Sequence, residues 1–299
     1  EFLAIGTPPR NPALLVSDSM STRFDYIVVG GGTAGCIVAS RLSSRPDLQV
    51  ALVEAGPDTP PDHTDSVIWD SYPIVAYFDP RHHWGDLRVF YGAAPEGDQT
   101  TTGIYRYEQA KVMGGGSSIN GMMANRGAPG DYDDWATRGA AGWDWASVLP
   151  YFRKLEHDLD FDNDRHGADG PIAIRRAPEA EWPGFSRVAG HALARAGFAR
   201  LDDQNDGFEP GYFPITINNA DDRRVSTAAG YLDVEARARP NLTILPNTEV
   251  LRLVTDGTSV TGVEIRTGDD RETRRLDAEE VIVCAGALYT PALLMKSGI

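Results

Sequence analysis

The sequence predicts an α/β fold: a Rossmann-like dinucleotide-binding domain with a parallel sheet and a β-meander crossover, joined to part of an α+β substrate domain. Three observations predict it. The stretch Tyr26 to Ala55 runs from strand formers through consecutive glycines into a helix-compatible segment and a second strand. Residues 249–276 alternate apolar and polar side chains between turn signals, the pattern of a meander. Glu280 to Ala287 reads as a buried strand ending in small residues, the same design as the first strand–helix turn.

The first stretch is the most informative. Tyr26-Ile27-Val28-Val29 stops at Gly30, and Gly30, Gly32 and Gly35 stand at the spacing G-x-G-x-x-G. One such glycine makes the tight turn, one lets the backbone approach a pyrophosphate, and one lets helix pack on strand. A helix from about Thr33 to Ser44 offers its N-terminal N–H groups to that pyrophosphate. The second strand, Val50 to Val53, ends at Glu54, 19 residues after Gly35, close to the ~20 expected of an acid that binds a ribose hydroxyl. An acid there favours FAD or NAD over NADP. The competing reading is a glycine-rich turn that binds nothing.

Composition sets the class. The 299 residues, 41% hydrophobic and 24% charged, suit a soluble globular protein. The net charge of −15 argues against nucleic acid, and the small basic clusters, such as Asp221-Asp222-Arg223-Arg224, read as part of a solvated acidic surface. Cys36 and Cys284 make no disulfide framework or zinc pattern and read as small buried residues. No apolar run reaches the ~20 residues of a membrane span. Residues 1–23 show no signal-peptide pattern and read as a tail outside the fold; the cytoplasm is the default location.

Further along, Pro57 to Pro61 is a loop. Residues 62–107 are weakly periodic but aromatic, with Trp69, Tyr72, Tyr77, Phe78, Trp84, Phe90, Tyr91, Tyr105 and Tyr107, and read as a covering segment over the nucleotide site. His82-His83 reads as a surface or loop pair, with no accompanying ligand set and no metal expected. A second glycine cluster, Gly114-Gly115-Gly116-Ser117-Ser118-Ile119-Asn120-Gly121-Met122, lacks the Gly-Lys-Ser/Thr ending of a Walker loop and reads as a second backbone cradle. Asp144 starts a helix whose beginning Pro150 limits; Trp135, Trp143 and Trp145 read as core packing. His166 serves a turn before a strand at 172–174. Residues 184–197 form an amphipathic helix ended by Gly197, 212–217 a strand, and 223–238 one helix capped by Ser226. Leu242 to Leu245 is a strand, and the meander follows at 249–255, 260–266 and 271–276. A last helix runs from Thr290 to Lys296 with Pro291 in its first turn. The dinucleotide domain is expected over 24–157 and 224–299, with 158–223 forming part of the substrate domain.

The segments Tyr26 to Ala55, Gly114 to Asn120 with Asn125-Arg126-Gly127, and Gly286 to Ile299 resemble the signature regions of the glucose–methanol–choline (GMC) oxidoreductases. The linking text GDYDDWA, GWDWASVLPYF and HGADGPI is similar too, so the resemblance covers about Phe24 to Ile299 and corresponds to the family's N-terminal half. Within the family the text looks closest to bacterial 5-hydroxymethylfurfural oxidase-like and aryl-alcohol-oxidising members. The resemblance implies FAD as cofactor. By position it implies that Gly30, Gly32, Thr33, Ala34 and Gly35 hold the pyrophosphate and that Glu54, with Ala55, holds the adenosine ribose. Val112, Gly116, Ser117, Asn120, Gly121 and Met122 would line the isoalloxazine and its linker, Trp84 would lie near the flavin, Val250 would contact adenine, and Ala285 would sit by the adenosine half.

The implied reaction is oxidation of a primary alcohol, aromatic or furanic, to an aldehyde, with hydride passing to flavin N5 and electrons going on to O2 or another acceptor. The family's catalytic histidine and its histidine or asparagine partner match nothing here and are expected beyond Ile299, in a C-terminal half carried as a second chain. Two other readings stand beside this one: a flavin-containing lyase of the hydroxynitrile lyase kind, and a flavin-binding fragment without activity.

Overall fold

The computed structural model describes residues 23–90, 104–268 and 272–299. The tail before Arg23, Tyr91 and Arg271 therefore lie outside the described residues. The first strand–helix–strand unit forms as its sequence dictates: β1 (Arg23–Val29), α1 (Thr33–Ser43) and β2 (Val50–Val53). After the intervening chain come a short helix α2 (Thr227–Tyr231), strands β3 (Leu242–Leu245), β4 (Thr248–Asp256), β5 (Ser259–Thr267) and β6 (Arg274–Val283), and helix α3 (Gly286–Lys296).

Six strands make the main sheet in the order β3-β2-β1-β6-β5-β4. The first four are parallel, and β6-β5-β4 is antiparallel. Side chains alternate across the pleat. Ile27 and Val29 enter one core with Val53, Leu253, Val263, Ile265 and Leu293 of α3. Val28 enters the opposite core with Cys36 and Ala39 of α1, Leu52, Met113 and Ala228 of α2. Both faces of β1 and β2 are thus covered, which accounts for their unbroken apolar runs. Each fully buried Ile, Leu or Val contributes about 1.5–3 kcal/mol.

Strand β6 departs from the expectation of a meander strand at 271–276 followed by a separate strand at 280–287. It is continuous. Arg274 to Asp277 pair antiparallel with β5, and Asp277 to Val283 pair parallel with β1. No glycine or proline lies between Leu276 and Glu280, Asp277 pairs on both sides, and Leu276 and Ala278 are buried, so the chain never leaves the sheet. The final helix also starts earlier than expected, at Gly286, which puts Pro291 inside it rather than in its first turn.

Other corrections are local. Residues 62–107 contain short helices at Ser66–Trp69 and Ile74–Phe78 and a strand pair, Arg88–Phe90 with Ile104–Arg106. Asp144 does cap the helix Trp145–Leu155, but Pro150 lies inside it. Trp135 and Trp143 are about half exposed, so they are not core residues. The helix Gly184–Arg195 forms, but Phe185 and Val188 on it are exposed. The expected strand at 212–217 is two short strands, Gly211–Tyr212 and Thr216–Ile217. The helix expected over 223–238 is broken into α2, capped by Ser226, and Val234–Arg237, capped by Asp233, whose carboxylate accepts from Ala236 N–H. Asp233 competes for backbone groups as a cap and so divides the run. His82 and His83 are buried rather than superficial. His83 Nδ1 lies 2.7 Å from the Asp79 carbonyl oxygen, and burial lowers the pKa of His82.

A second, three-stranded sheet joins Glu156–Asp158, Ile172–Arg176 and Thr216–Ile217. Beside it a buried ionic cluster closes around His166, which does more than serve a turn. His166 Nδ1 lies 2.6 Å from Glu156 Oε1 and 2.9 Å from Asp158 Oδ2, and Nε2 lies 3.1 Å from Asp203 Oδ2. Arg176 bridges Asp158 and Asp203, and Arg126 pairs with Glu156. Its fully buried members balance, three carboxylates against an imidazolium and two guanidiniums, and the more exposed Asp160, 3.8 Å from Arg176 Nη1, adds a fourth carboxylate at the edge. Burial alone would depress the His166 pKa, but Asp158, Asp203 and Glu156 outweigh it and raise it to about 10. Burial would likewise raise Asp158, but His166 and Arg176 hold it well below the usual carboxylate range.

The sign of the pH dependence follows. The His166 contribution is complete below the ordinary histidine pKa of about 6.5 and is lost as pH rises through about 10. His166→Asn is therefore expected to lower stability by about 3–5 kcal/mol at pH 6. The gap to the unsubstituted protein should narrow as pH passes 10. Urea denaturation at pH 6, 8 and 10.5 checks this; a gap that stays constant would show that the imidazolium does not hold the cluster.

Candidate cofactor site

The carboxyl ends of β1, β2 and β6 open onto a cavity of about 510 Å³, within the range of small-molecule and cofactor sites. Open α/β sheets bind ligands at this edge because strand ends and helix N-termini converge there. Helix α1 begins at Gly32, which supplies no side-chain cap. The N–H groups of its first turn have no partner within the helix, and Gly32, Thr33 and Ala34 line the cavity.

Glu54 stands at the end of β2 on the cavity wall and is buried. Its Oε2 accepts from Gly31 N–H and its Oε1 from Gly56 N–H, both at 2.8 Å. Burial raises its pKa, and these two hydrogen bonds oppose the rise. The carboxylate is thereby fixed in one orientation, with acceptor capacity left on each oxygen.

The two glycine clusters meet here. Gly114 N–H donates to the Gly31 carbonyl at 2.7 Å, and a Cβ on Gly115 (φ +54°) would come 2.7 Å from Gly32 Cα. Only bare backbone permits that contact. Gly35 is needed for a different reason. A Cβ on it would overlap the Gly30 carbonyl oxygen, so α1 can lie against the turn only without a side chain there.

Of the residues singled out in the sequence, Gly30, Gly32, Thr33, Ala34, Glu54, Ala55, Trp84, Val112, Gly116, Val250 and Ala285 line the cavity. Gly35, Ser117, Asn120, Gly121 and Met122 do not. Gly35 packs helix on turn. Ser117 Oγ donates to the Gly114 carbonyl at 2.6 Å and accepts from Thr227 N–H at 3.0 Å, tying the second glycine turn to α2. Gly115 to Ser118 form only one 3₁₀ turn, after which Asn120 and Gly121 are exposed and Met122 is buried. Sequence reasoning missed Gln109, Glu249, Tyr289, Thr290 and Lys296 on the wall. The last three, with Gly286 and Leu293, recur three or four residues apart, a helix-face signal that was available. Tyr289 stacks on Trp84 at 4.4 Å between ring centroids, and Lys111 Nζ lies 4.6 Å over the Trp84 ring. Cys36 is fully buried, and burial pushes its thiol to about 12; Cys284 is half-buried on the cavity wall.

This assembly fits a dinucleotide. An uncapped helix N-terminus faces the cavity, a fixed acid stands at the end of β2, and a Cβ on Gly116 would meet nothing within 4 Å, leaving that wall open. The sequence pattern of the GMC oxidoreductases matches residues 24–299. The chain belongs to the GMC oxidoreductase family. It is 44% identical over 281 residues to a 5-(hydroxymethyl)furfural oxidase of Methylovorus sp. (strain MP688), covering 93% of this chain and 52% of the relative. Its fold is similar to a pyridoxine 4-oxidase from Mesorbium loti, with a TM-score of 0.81, 35% identity, and coverage of 92% of this chain and 52% of that one. It is similar also to an FAD-dependent oxidoreductase from Chaetomium thermophilum, with a TM-score of 0.79, 28% identity, and coverage of 92% and 48%. The chain thus spans about half the length of the relatives it matches. Members of this family are oxidoreductases, and their cofactor is FAD. Among the described residues no helix is long and apolar enough to cross a membrane.

Gly35→Ala is expected to destabilise the protein by about 1–3 kcal/mol, the cost of overpacking a tight contact. Gly85→Ala, where an added Cβ meets nothing within 4 Å, should stay within about 0.5 kcal/mol of the parent. Parallel urea melts decide it, and equal midpoints for the two variants would refute the tight-packing role of Gly35.

Proposed function

We propose that this chain carries most of the FAD site of an alcohol oxidase or dehydrogenase acting on a primary alcohol, aromatic or furanic, to give the aldehyde. The observation that carries the reading is the uncapped α1 N-terminus beside the doubly held Glu54, within a chain of the GMC family. The 5-(hydroxymethyl)furfural oxidase relative supports the furanic substrate class. When bound, FAD supplies the hydride acceptor, flavin N5, and passes electrons to O2 or another acceptor.

This chain's residues bind and orient. In this reading the N–H groups of Gly32, Thr33 and Ala34 meet the pyrophosphate, where the helix dipole favours negative charge. Glu54 accepts from the ribose hydroxyls, with Gly31 and Gly56 holding it in place. Val250 and Ala285 line the adenosine part, and the Gly116 to Met122 segment supports the isoalloxazine. The base for the alcohol proton belongs to the half of the relatives' length that this chain does not span. Two unpaired cysteines suit a cytoplasmic location.

Glu54→Gln turns one acceptor oxygen into a donor facing a backbone N–H. FAD affinity should fall about tenfold, the loss of about 1.4 kcal/mol from one charge-assisted contact. Titration of the FAD-free protein, followed by flavin fluorescence, measures this. In the full-length protein, anaerobic furfuryl alcohol is expected to bleach the flavin absorption. A flavin that stays oxidised with furanic and benzylic alcohols alike would favour the lyase reading.

A further inference from the structure

His82 is 4% exposed, yet neither of its ring nitrogens has a hydrogen-bond partner. Buried polar groups are ordinarily paired, and one that is not calls for a water or an ion. The ring is aimed at a carboxylate: Nε2 lies 3.7 Å from Asp65 Oδ2. That is too long for a hydrogen bond. It is short enough for one cation to be shared, because two atoms each about 2.1 Å from a zinc ion lie no more than about 4.2 Å apart. Asp79 completes the set, and one ligand atom from each of Asp65, Asp79 and His82 lies within 4.8 Å of the others. Sequence spacing hides the group. Asp65 caps the helix Ser66–Trp69, and Asp79 caps the separate 3₁₀ turn Pro80–His82 that carries the histidine.

Both carboxylates are already oriented. Asp65 Oδ1 accepts from Val67 N–H at 3.1 Å, and Asp79 Oδ1 accepts from Arg81 N–H at 3.0 Å. Backbone thus holds one oxygen of each acid, and the other, Oδ2, faces the Arg81 guanidinium. Arg81 Nη1 lies 2.7 Å from Asp65 Oδ2, and Nη2 pairs with Asp79 Oδ2. The protein sets a cation of its own between the two acids, but that cation leaves the imidazole unserved.

Arg81 is poorly held. Its side chain is 60% exposed, against 11% for Asp79 and 5% for His82. Exposed ion pairs contribute little, so the guanidinium can swing into water at small cost. A divalent ion in its place would neutralise both carboxylates and give the histidine a partner. One imidazole nitrogen and two carboxylate oxygens suit zinc, with a fourth position left to water.

We propose that Asp65 Oδ2, Asp79 Oδ2 and His82 Nε2 form a zinc-type divalent-cation site, closed by the Arg81 side chain, which leaves when the ion enters. The site lies on the segment that carries one wall of the large cavity. Lys111 N–H donates to the His82 carbonyl at 2.8 Å, and Trp84, just beyond, lines that cavity. A bound ion ties the two short helical turns of this segment together behind the wall.

The test titrates the untagged full-length protein, stripped with EDTA, with Zn²⁺ by calorimetry at pH 7; Co²⁺ absorption reports the ligand geometry. One ion per chain should bind, with tetrahedral Co²⁺ bands, and should raise the melting temperature. Asp65→Asn keeps an acceptor for Val67 N–H but loses the charge. It and His82→Gln should each weaken Zn²⁺ binding at least about tenfold, no less than the loss of an outer-shell partner. Arg81→Gln, at an exposed position, should bind Zn²⁺ several-fold more tightly, because the competing cation is gone. If His82→Gln does not fold, Asp65→Asn and Arg81→Gln still decide. A parent that takes up no Zn²⁺ would overturn the inference and leave a water as the bridge across the 3.7 Å gap. Affinity unchanged in Asp65→Asn would overturn it as adventitious binding elsewhere, and affinity unchanged in Arg81→Gln would overturn the displacement of Arg81. The FAD reading stands in each case, since no readout depends on the flavin.

Discussion

The structure depends on one contact between two stretches of bare backbone. Gly114 N–H donates to the Gly31 carbonyl, and Gly115 lies against Gly32. A side chain on Gly115, whose Cβ would come 2.7 Å from Gly32 Cα, would separate the two turns. Their closeness puts Met113 into the core against α1 and α2, and places Val112, Gly115 and Gly116 on the cavity wall beside the α1 N-terminus. The 3₁₀ turn is then held from within: Ser118 Oγ donates to the Met113 carbonyl, and Ser117 Oγ links the Gly114 carbonyl to α2. One glycine-to-glycine contact thus couples the first strand–helix unit to a segment some eighty residues later and to a helix more than a hundred residues after that.

The same contact explains what the sequence revealed. Gly30, Gly32, Gly35 and Glu54 were legible because what each does is local, whether a turn, a close approach or a strand end. The sheet strands were legible wherever turn chemistry bounds them, as Asp256-Gly257 bounds β4 and β5. Strand β6 misled because its polar middle resembles a break, whereas Asp277 pairs with both β1 and β5. Periodicity reports burial on one face, and a strand that changes partners midway has no single period to report.

Buried charge was the least legible feature, for a physical reason. Glu156 and His166 lie ten residues apart, and Arg176 and Asp203 lie 27 apart. Nothing in either segment marks it as a partner of the other. With a net charge of −15 on the whole chain, any single acid or base reads most simply as solvated surface. Folding selects a few of them, removes them from water, and must then neutralise them. The buried members of the His166 cluster achieve this with three carboxylates against three cations. His82 is buried without hydrogen bonds to its ring nitrogens and is shifted toward its neutral form instead. These are two responses to the same desolvation penalty.

Buried Arg224 is shifted down by burial only to about 10, so it stays charged, and the contrast bears on how the chain is built on either side of Gly116. At the α1 end, position comes from backbone: a helix N-terminus, bare glycines, and an acid held by two peptide N–H groups, all resting on a sheet covered on both faces. Such a support needs no buried charge. Beyond Gly116 the chain is irregular, with one 3₁₀ turn and a left-handed Met122, and no regular ladder satisfies its carbonyls. Ser117 and Asn120 carbonyls instead converge on a single guanidinium. Arginine suits this because its rigid fork can serve several acceptors at once, and carbonyl oxygens partly offset its charge where a carboxylate would cancel it. An irregular loop without a backbone ladder therefore obtains its rigidity from a cation.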